Sequence, residues 1–288
     1  MKKRLKNLAI IAVILTIVFQ ACTKMETRPS PTMSFSDDTL LVNTDTIIAA
    51  GDTVQVGINC KWNGQDELKT LSIYLNNQYV NTFAVPNNVM TEGVIDLKLI
   101  KTGMDSDGWL FELVDANGQR GYLGIMIRKD KTGGTILKIA NIVLGAQSNT
   151  GIGNFFSLQN GTAYTLQNAS NNQATIDLVH GYNDTDKAYL ASPAADLTND
   201  YDLSAWTVKN NTLFYPTTRT PIEFDLIETD KPIISSFKED GATTKATSLA
   251  AGKVYSFKSA PGKYGLIKVI TVPNAKTGTI SFEVKMQN

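Results

Sequence analysis

The chain predicts a mainly β protein: an N-terminal β-sandwich followed by a second β-rich domain, sandwich or barrel, with one or two short helices. Three observations carry this. Apolar and polar residues alternate with a period of two through segment after segment, turn residues separate these segments at short intervals, and the texture changes after Gly133-Gly134.

Val54, Val56, Ile58 and Cys60 alternate with Gln55, Gly57, Asn59 and Lys61, the pattern of a half-buried strand. Leu71-Ser72-Ile73-Tyr74-Leu75 repeats it, and Asn76-Asn77-Gln78 makes a turn before Tyr79 to Val85. Val94 to Ile100, Trp109 to Val114 and Tyr122 to Ile127 follow, the last two flanking a hairpin signal at Asp115-Ala116-Asn117-Gly118, where Asn and Gly tolerate positive φ. About seven short strands in about 100 residues fit an immunoglobulin-like sandwich, placed at residues 33–129. Cys60 has no partner for an inter-sheet disulfide and reads as core. Trp109 also reads as core, and Trp62 as the cover of a strand end.

Polar, glycine-ended residues 129–134 make a boundary, and the second domain spans 135–288. Its strand-like runs are Ile136 to Leu144, Ala174 to Gly181 and Ile222 to Ile227; Leu166 to Asn172 and Leu203 to Lys209 could each hold a helix. Lys263 to Val269 and Gly278 to Val284 alternate as strands. The segment Ser157 to Tyr164 reads like Ser248 to Tyr255 at a constant offset of 91 residues, which suggests a duplicated strand-turn-strand unit.

The N-terminus gives an address. Lys2, Lys3, Arg4 and Lys6 precede an apolar run of twelve residues, Leu8 to Phe19, too short for the ~20 a membrane-crossing helix needs. This is the pattern of a secretory signal peptide over residues 1–21. Phe19-Gln20-Ala21-Cys22 resembles the lipobox of bacterial lipoproteins, with Phe19 where leucine is usual. The resemblance implies cleavage before Cys22 and its acylation, each buried methylene adding ~0.8 kcal/mol of membrane affinity. Residues 22–32, with Pro29 and Pro31, form a tether. The implied location is the cell envelope, as an outer-membrane lipoprotein.

Removing residues 1–21 takes four of the 27 basic residues and none of the 27 acidic ones, leaving a net charge of about −4. Nucleic acid is thereby disfavoured as a partner. Ser157 to Asp177 and Gly262 to Val269, with Ile280-Ser281-Phe282-Glu283-Val284-Lys285, resemble an uncharacterised class of Bacteroidetes lipoproteins. That class pairs an immunoglobulin-like domain with a C-terminal β domain, and it implies no reaction and no functional residues.

Catalytic chemistry finds few candidates. His180 is the single histidine, in an apolar strand where a structural role is expected. No Gly-x-Ser-x-Gly elbow is present, and one histidine with Cys60 does not make a zinc site. A glycosidase or esterase is the competing class, without a nominated carboxylate pair. Asp105 and Asp107, and likewise Asp184 and Asp186, stand two apart in loops, which suits oxygen coordination of Ca²⁺; no other cofactor is suggested. Trp206, with Tyr201 and Tyr215, offers rings that could stack on a sugar face. Asp38-Thr39-Leu40, Asp45-Thr46-Ile47 and Asp52-Thr53-Val54 resemble Bacteroidetes O-glycosylation sites, at Thr39, Thr46 and Thr53. The expectation is a non-catalytic envelope lipoprotein that binds a glycan or surface component, or alternatively docks a partner protein by strand addition.

Overall fold

The computed structural model describes residues 28–288; the signal segment and Cys22 lie outside them. The fold is mainly β, in four antiparallel-rich sheets. The first half contains β1 (Thr32–Phe35), β2 (Thr46–Ile48), β3 (Thr53–Lys61), β4 (Leu68–Leu75), β5 (Gln78–Ala84), β6 (Glu92–Ile100), β7 (Ser106–Asp115) and β8 (Arg120–Lys129). They form a three-stranded sheet, β1-β3-β6, facing a five-stranded sheet, β2-β8-β7-β4-β5. Period-two alternation puts Val56, Ile58, Cys60, Leu71, Phe111, Leu113 and Ile127 between them, as the pattern of hydrophobic-in, polar-out requires. Burial pushes the Cys60 thiol up to about 11, so it is packing and not a nucleophile.

The second half contains β9 (Ile136–Gly145), β10 (Phe155–Ser157), β11 (Thr162–Tyr164), helix α1 (Leu166–Ser170), β12 (Leu178–Asn183), β13 (Lys187–Ala191) and β14 (Leu213–Pro216). Helices α2 (Pro221–Leu226) and α3 (Lys231–Ser235) follow, then β15 (Lys245–Ala246), β16 (Val254–Lys258), β17 (Tyr264–Thr271) and β18 (Thr279–Gln287). The sheets run β11-β10-β12-β13-β15 and β14-β16-β17-β18-β9. Phe156, Leu190, Phe257, Ile267 and Phe282 fill the space between them.

Three sequence expectations are corrected here. Ile222 to Ile227 is not a strand: Thr220 caps the segment, Glu223 closes a capping box, and Pro221 stands at its first turn, a combination that starts helices. Leu203 to Lys209 is a loop without a helix. The segments offset by 91 residues share a left-handed glycine before a strand (Gly161, φ 63°; Gly252, φ 76°) and then diverge. β11 is a short edge strand, whereas β16 lies between β14 and β17.

Segment 217–236 fastens the two halves. Arg219 donates to the Gly51 carbonyl at 3.0 Å and to Asp52 at 2.8 Å, and Glu223 accepts from Lys98 at 2.7 Å. Gly51 has φ +84°, and a Cβ there would stand 2.6 Å from the Glu223 carbonyl oxygen, so the backbones meet where only glycine fits. Lys285 of β18 donates to the carbonyls of Phe224, Asp225 and Ile227 at 2.7, 2.8 and 3.0 Å, satisfying the buried end of α2.

Two buried polar groups generate predictions. Lys101 and Asp107 form a wholly buried ion pair at 3.0 Å. Lys101→Met leaves that carboxylate unpaired and is expected to cost roughly 3–5 kcal/mol by urea unfolding, with Asp107→Leu in the same chain recovering part of the loss. His180 is fully buried; its Nδ1 lies 3.0 Å from the Gly145 carbonyl oxygen, and its Nε2 has no partner among the described residues. Burial pushes His180 from 6.5 down to about 4. Its neutral form therefore contributes fully above pH 6.5, and that contribution is lost as pH falls through 4, roughly 3 kcal/mol in all. His180→Asn, which retains a donor for the Gly145 carbonyl, is expected to lose stability at pH 7.5. Its deficit against wild type should narrow steadily between pH 6.5 and 4 in chemical unfolding curves.

Candidate functional site

The residues proposed to stack on a sugar do not form a surface. Trp206 and Tyr201 are only 7% and 5% exposed. Both rings pack on Phe155, with centroid distances of 5.5 and 5.2 Å, and the Tyr201 hydroxyl donates to the His180 carbonyl. They are the core of the loop that covers the second sandwich, because the long stretch without strands needs large side chains to bury it. Tyr215 alone stays half-buried, in the cleft of about 280 Å³ beside Arg219 and Lys98, away from the other two.

The aspartate pairs are equally spoken for. Asp107 accepts from the Thr102 hydroxyl at 2.6 Å, the Thr102 amide at 2.7 Å and Lys101, so the protein's own ammonium occupies the place a cation would take. Asp105 faces solvent and pairs with Lys131 at 2.9 Å, which holds its carboxyl below the usual range. Asp186 pairs with Lys245 at 3.0 Å, and Asp184 is exposed in the β12–β13 turn. Among the described residues, no group of three or more His, Cys, Asp or Glu converges as a metal site would. Of the three threonines, Thr39 stands in an exposed turn closed by Asp38, which accepts from the Leu40 amide at 2.9 Å. Thr46 and Thr53 lie half-buried in β2 and β3.

The surface feature that does stand out is β5. The hairpin before it turns through Asn76 and Asn77, both with positive φ (49° and 65°), the two-residue geometry that matches strand twist. Asn76 also accepts from the Gly108 amide at 2.7 Å, which ties the hairpin to β7. All seven residues of β5 are exposed, because the five-stranded sheet extends beyond the three strands opposite it. Tyr79, Val80 and Phe83 are 63%, 49% and 41% exposed. Among the described residues the strand pairs with β4 alone, on one side. On its open side, the Thr82 amide is met by the Asn81 side chain at 2.9 Å.

Beside β5 the sheet face is rigidly organised. Thr82 and Ser72 share a hydroxyl hydrogen bond of 2.8 Å, and Tyr74 packs edge-on to Tyr79 with centroids 6.0 Å apart. Tyr74 and Tyr122 each donate to Glu112 at 3.0 Å, and Arg120 joins them. Burial alone would raise the Glu112 carboxyl; the three donors together hold it low.

Other long edges carry protection that β5 lacks. β6 bears Glu92, Asp96 and Lys98, while β9 has Lys138 and a bulge at Asn141, φ 57°. Charges, bulges and shortness are the usual means of blunting an edge. β5 has one irregularity, opposite Ile73 and Tyr74, and neither charge nor proline. Sequence reading found the strand but not its exposure; the absence of any charge from Gln78 to Ala84 was the available signal.

No protein-family model matches the chain, and no curated protein matches it. Among solved structures it is similar to a DUF4466 family protein from Parabacteroides merdae, with 12% identity over 90% of this chain and 99% of that one, TM-score 0.41. It is also similar to the CARDB domain of the PF1109 protein from Pyrococcus furiosus (10% identity, 35% of this chain and 93% of that one, TM-score 0.26). Fibronectin(III)-like modules of Clostridium thermocellum CbhA give 7% identity over 88% of this chain and 90% of that one, TM-score 0.23.

Proposed function

We propose that this protein is a non-catalytic envelope lipoprotein, fastened through Cys22, that docks another envelope protein by strand addition along β5. The observation that carries the docking is a fully exposed, uncharged seven-residue sheet edge with Tyr79, Val80 and Phe83 open to solvent. A partner strand would take up the outward backbone groups of β5, beginning with the Thr82 amide, and would cover the exposed rings. The glycan reading loses two of its three aromatic anchors to the core, whereas the edge needs only the Asn81 side chain to release the Thr82 amide.

The anchor and the edge have separate tests. Radiolabelled palmitate is expected to enter the wild-type protein and not Cys22→Ala; equal labelling of both would remove the lipid address. For docking, a photo-crosslinking residue at Val80 should give one discrete protein adduct in intact cells, and the same residue at Asp96 on β6 should give none. Thr82→Pro deletes the outward amide while leaving the ladder to β4 in place. It is expected to abolish the adduct, whereas Thr82→Val, which loses the same hydroxyl bond to Ser72 but keeps the amide, is expected to retain it. Adducts of equal yield from both strands, or an adduct indifferent to Thr82→Pro, would rule out strand addition at β5.

A further inference from the structure

A second candidate site, separate from β5, opens where the two sheets of the second half diverge. This cleft of about 700 Å³ is lined by Leu137, Leu158, Pro261 and Met286 on its apolar side and by Gln159 and Asp177 on its polar side. Asp177 immediately precedes β12 and is only 6% exposed. Its Oδ2 accepts from the Leu158 amide at 2.8 Å, and its own amide donates to the Phe156 carbonyl at 3.0 Å, so the side chain is held in one place. Among the described residues no donor reaches the other carboxylate oxygen, which is open to the cleft. Among the described residues no lysine or arginine pairs with Asp177. The one charged basic side chain lining the cleft, Lys263, sits on the exposed β16–β17 hairpin.

A buried carboxylate with one hydrogen bond and no counter-ion is an unfavourable arrangement in a folded chain. Other buried acids here are better met: Asp107 has Lys101 and two Thr102 donors, Glu223 has Lys98 and the Thr220 amide, Glu112 has Arg120, and Asp115, also without a counter-ion, accepts from Asn63 and the Asn117 and Gln119 amides. An apolar wall beside one anionic oxygen open to the cleft suits a ligand with a cationic donor at the end of an aliphatic stem. From this geometry we infer that the cleft binds a small aliphatic amine, its ammonium on Asp177 and its stem against Leu137, Leu158 and Met286. Burial pushes the Asp177 carboxyl up to about 6; an ammonium ligand binds the ionised form, so affinity should rise with pH through that value.

The test is calorimetric titration of the full-length protein with n-pentylamine, with 1-pentanol as the uncharged control. Saturable binding of the amine at pH 7.5 is expected to weaken about tenfold at pH 5, as the carboxyl takes up its proton. Asp177→Asn, which can still accept from the Leu158 amide, should bind at least tenfold more weakly at pH 7.5. The pH comparison uses the wild-type chain and so holds even if that variant folds poorly. Absence of saturable amine binding, affinity equal at the two pH values, or equal affinity for 1-pentanol would each overturn the assignment.

Discussion

The ammonium of Lys285 is buried at the end of α2, where three carbonyls close around it. A charge removed from water is tolerated only when its hydrogen-bonding capacity is met, and here the helix end supplies acceptors that would otherwise be left over. Each side solves the other's problem: the helix terminus needs a donor and the lysine needs acceptors. Burial lowers Lys285 to about 8, and the phenyl ring of Phe224 lies 5.0 Å from the same ammonium. With α2 fixed on β18, Arg219 and Glu223 at its beginning are aimed at Gly51, Asp52 and Lys98 of the first sandwich. The hold on this six-residue helix thus carries part of the relation between the two halves, beside the Lys129–Glu228 and Lys231–Asp130 pairs.

That helix also marks where sequence reading stopped. Strands with one face in a core were legible: β3 shows Val54, Val56, Ile58 and Cys60 on its buried side, and an alternating face leaves a period of two. Pro221-Ile222-Glu223-Phe224-Asp225-Leu226 also alternates apolar with polar, so the same rule read it as a strand. The decisive signal was local chemistry, Thr220 three residues before Glu223 with proline between. Propensity and capping outweighed a pattern only six residues long, and such short runs are where periodicity is weakest.

The candidate sites were less legible than the fold, for a related reason. Asp105-Ser106-Asp107 looks like paired oxygen ligands in one dimension, but Asp105 stands in the loop before β7 whereas Asp107 is the second residue of the strand. Asp107 turns inward to Lys101, and Asp105 outward to Lys131. Trp206 sits among polar residues in the sequence yet is buried, because a loop that must cover a sheet without strands of its own relies on a few large rings. Asp177 looked ordinary beside Ile176 and Leu178. Its character comes from neighbours far along the chain, and no spacing within the sequence announces it.

Edge management connects these threads. A sheet longer than the one facing it leaves a strand whose two faces and outer backbone are all wet, and folding alone gives no reward for leaving apolar side chains there. β6 and β9 show that this chain can place charge and bulges on its edges. β5 instead presents Tyr79, Val80 and Phe83, and it does so on a frame stiffened by the Asn76 turn and the Glu112 network. Rigidity at an exposed apolar edge lowers the entropic cost of receiving a strand, while making the free edge no less exposed. Under the docking proposal, exposure that is unfavourable for an isolated chain becomes preorganisation for a bound strand.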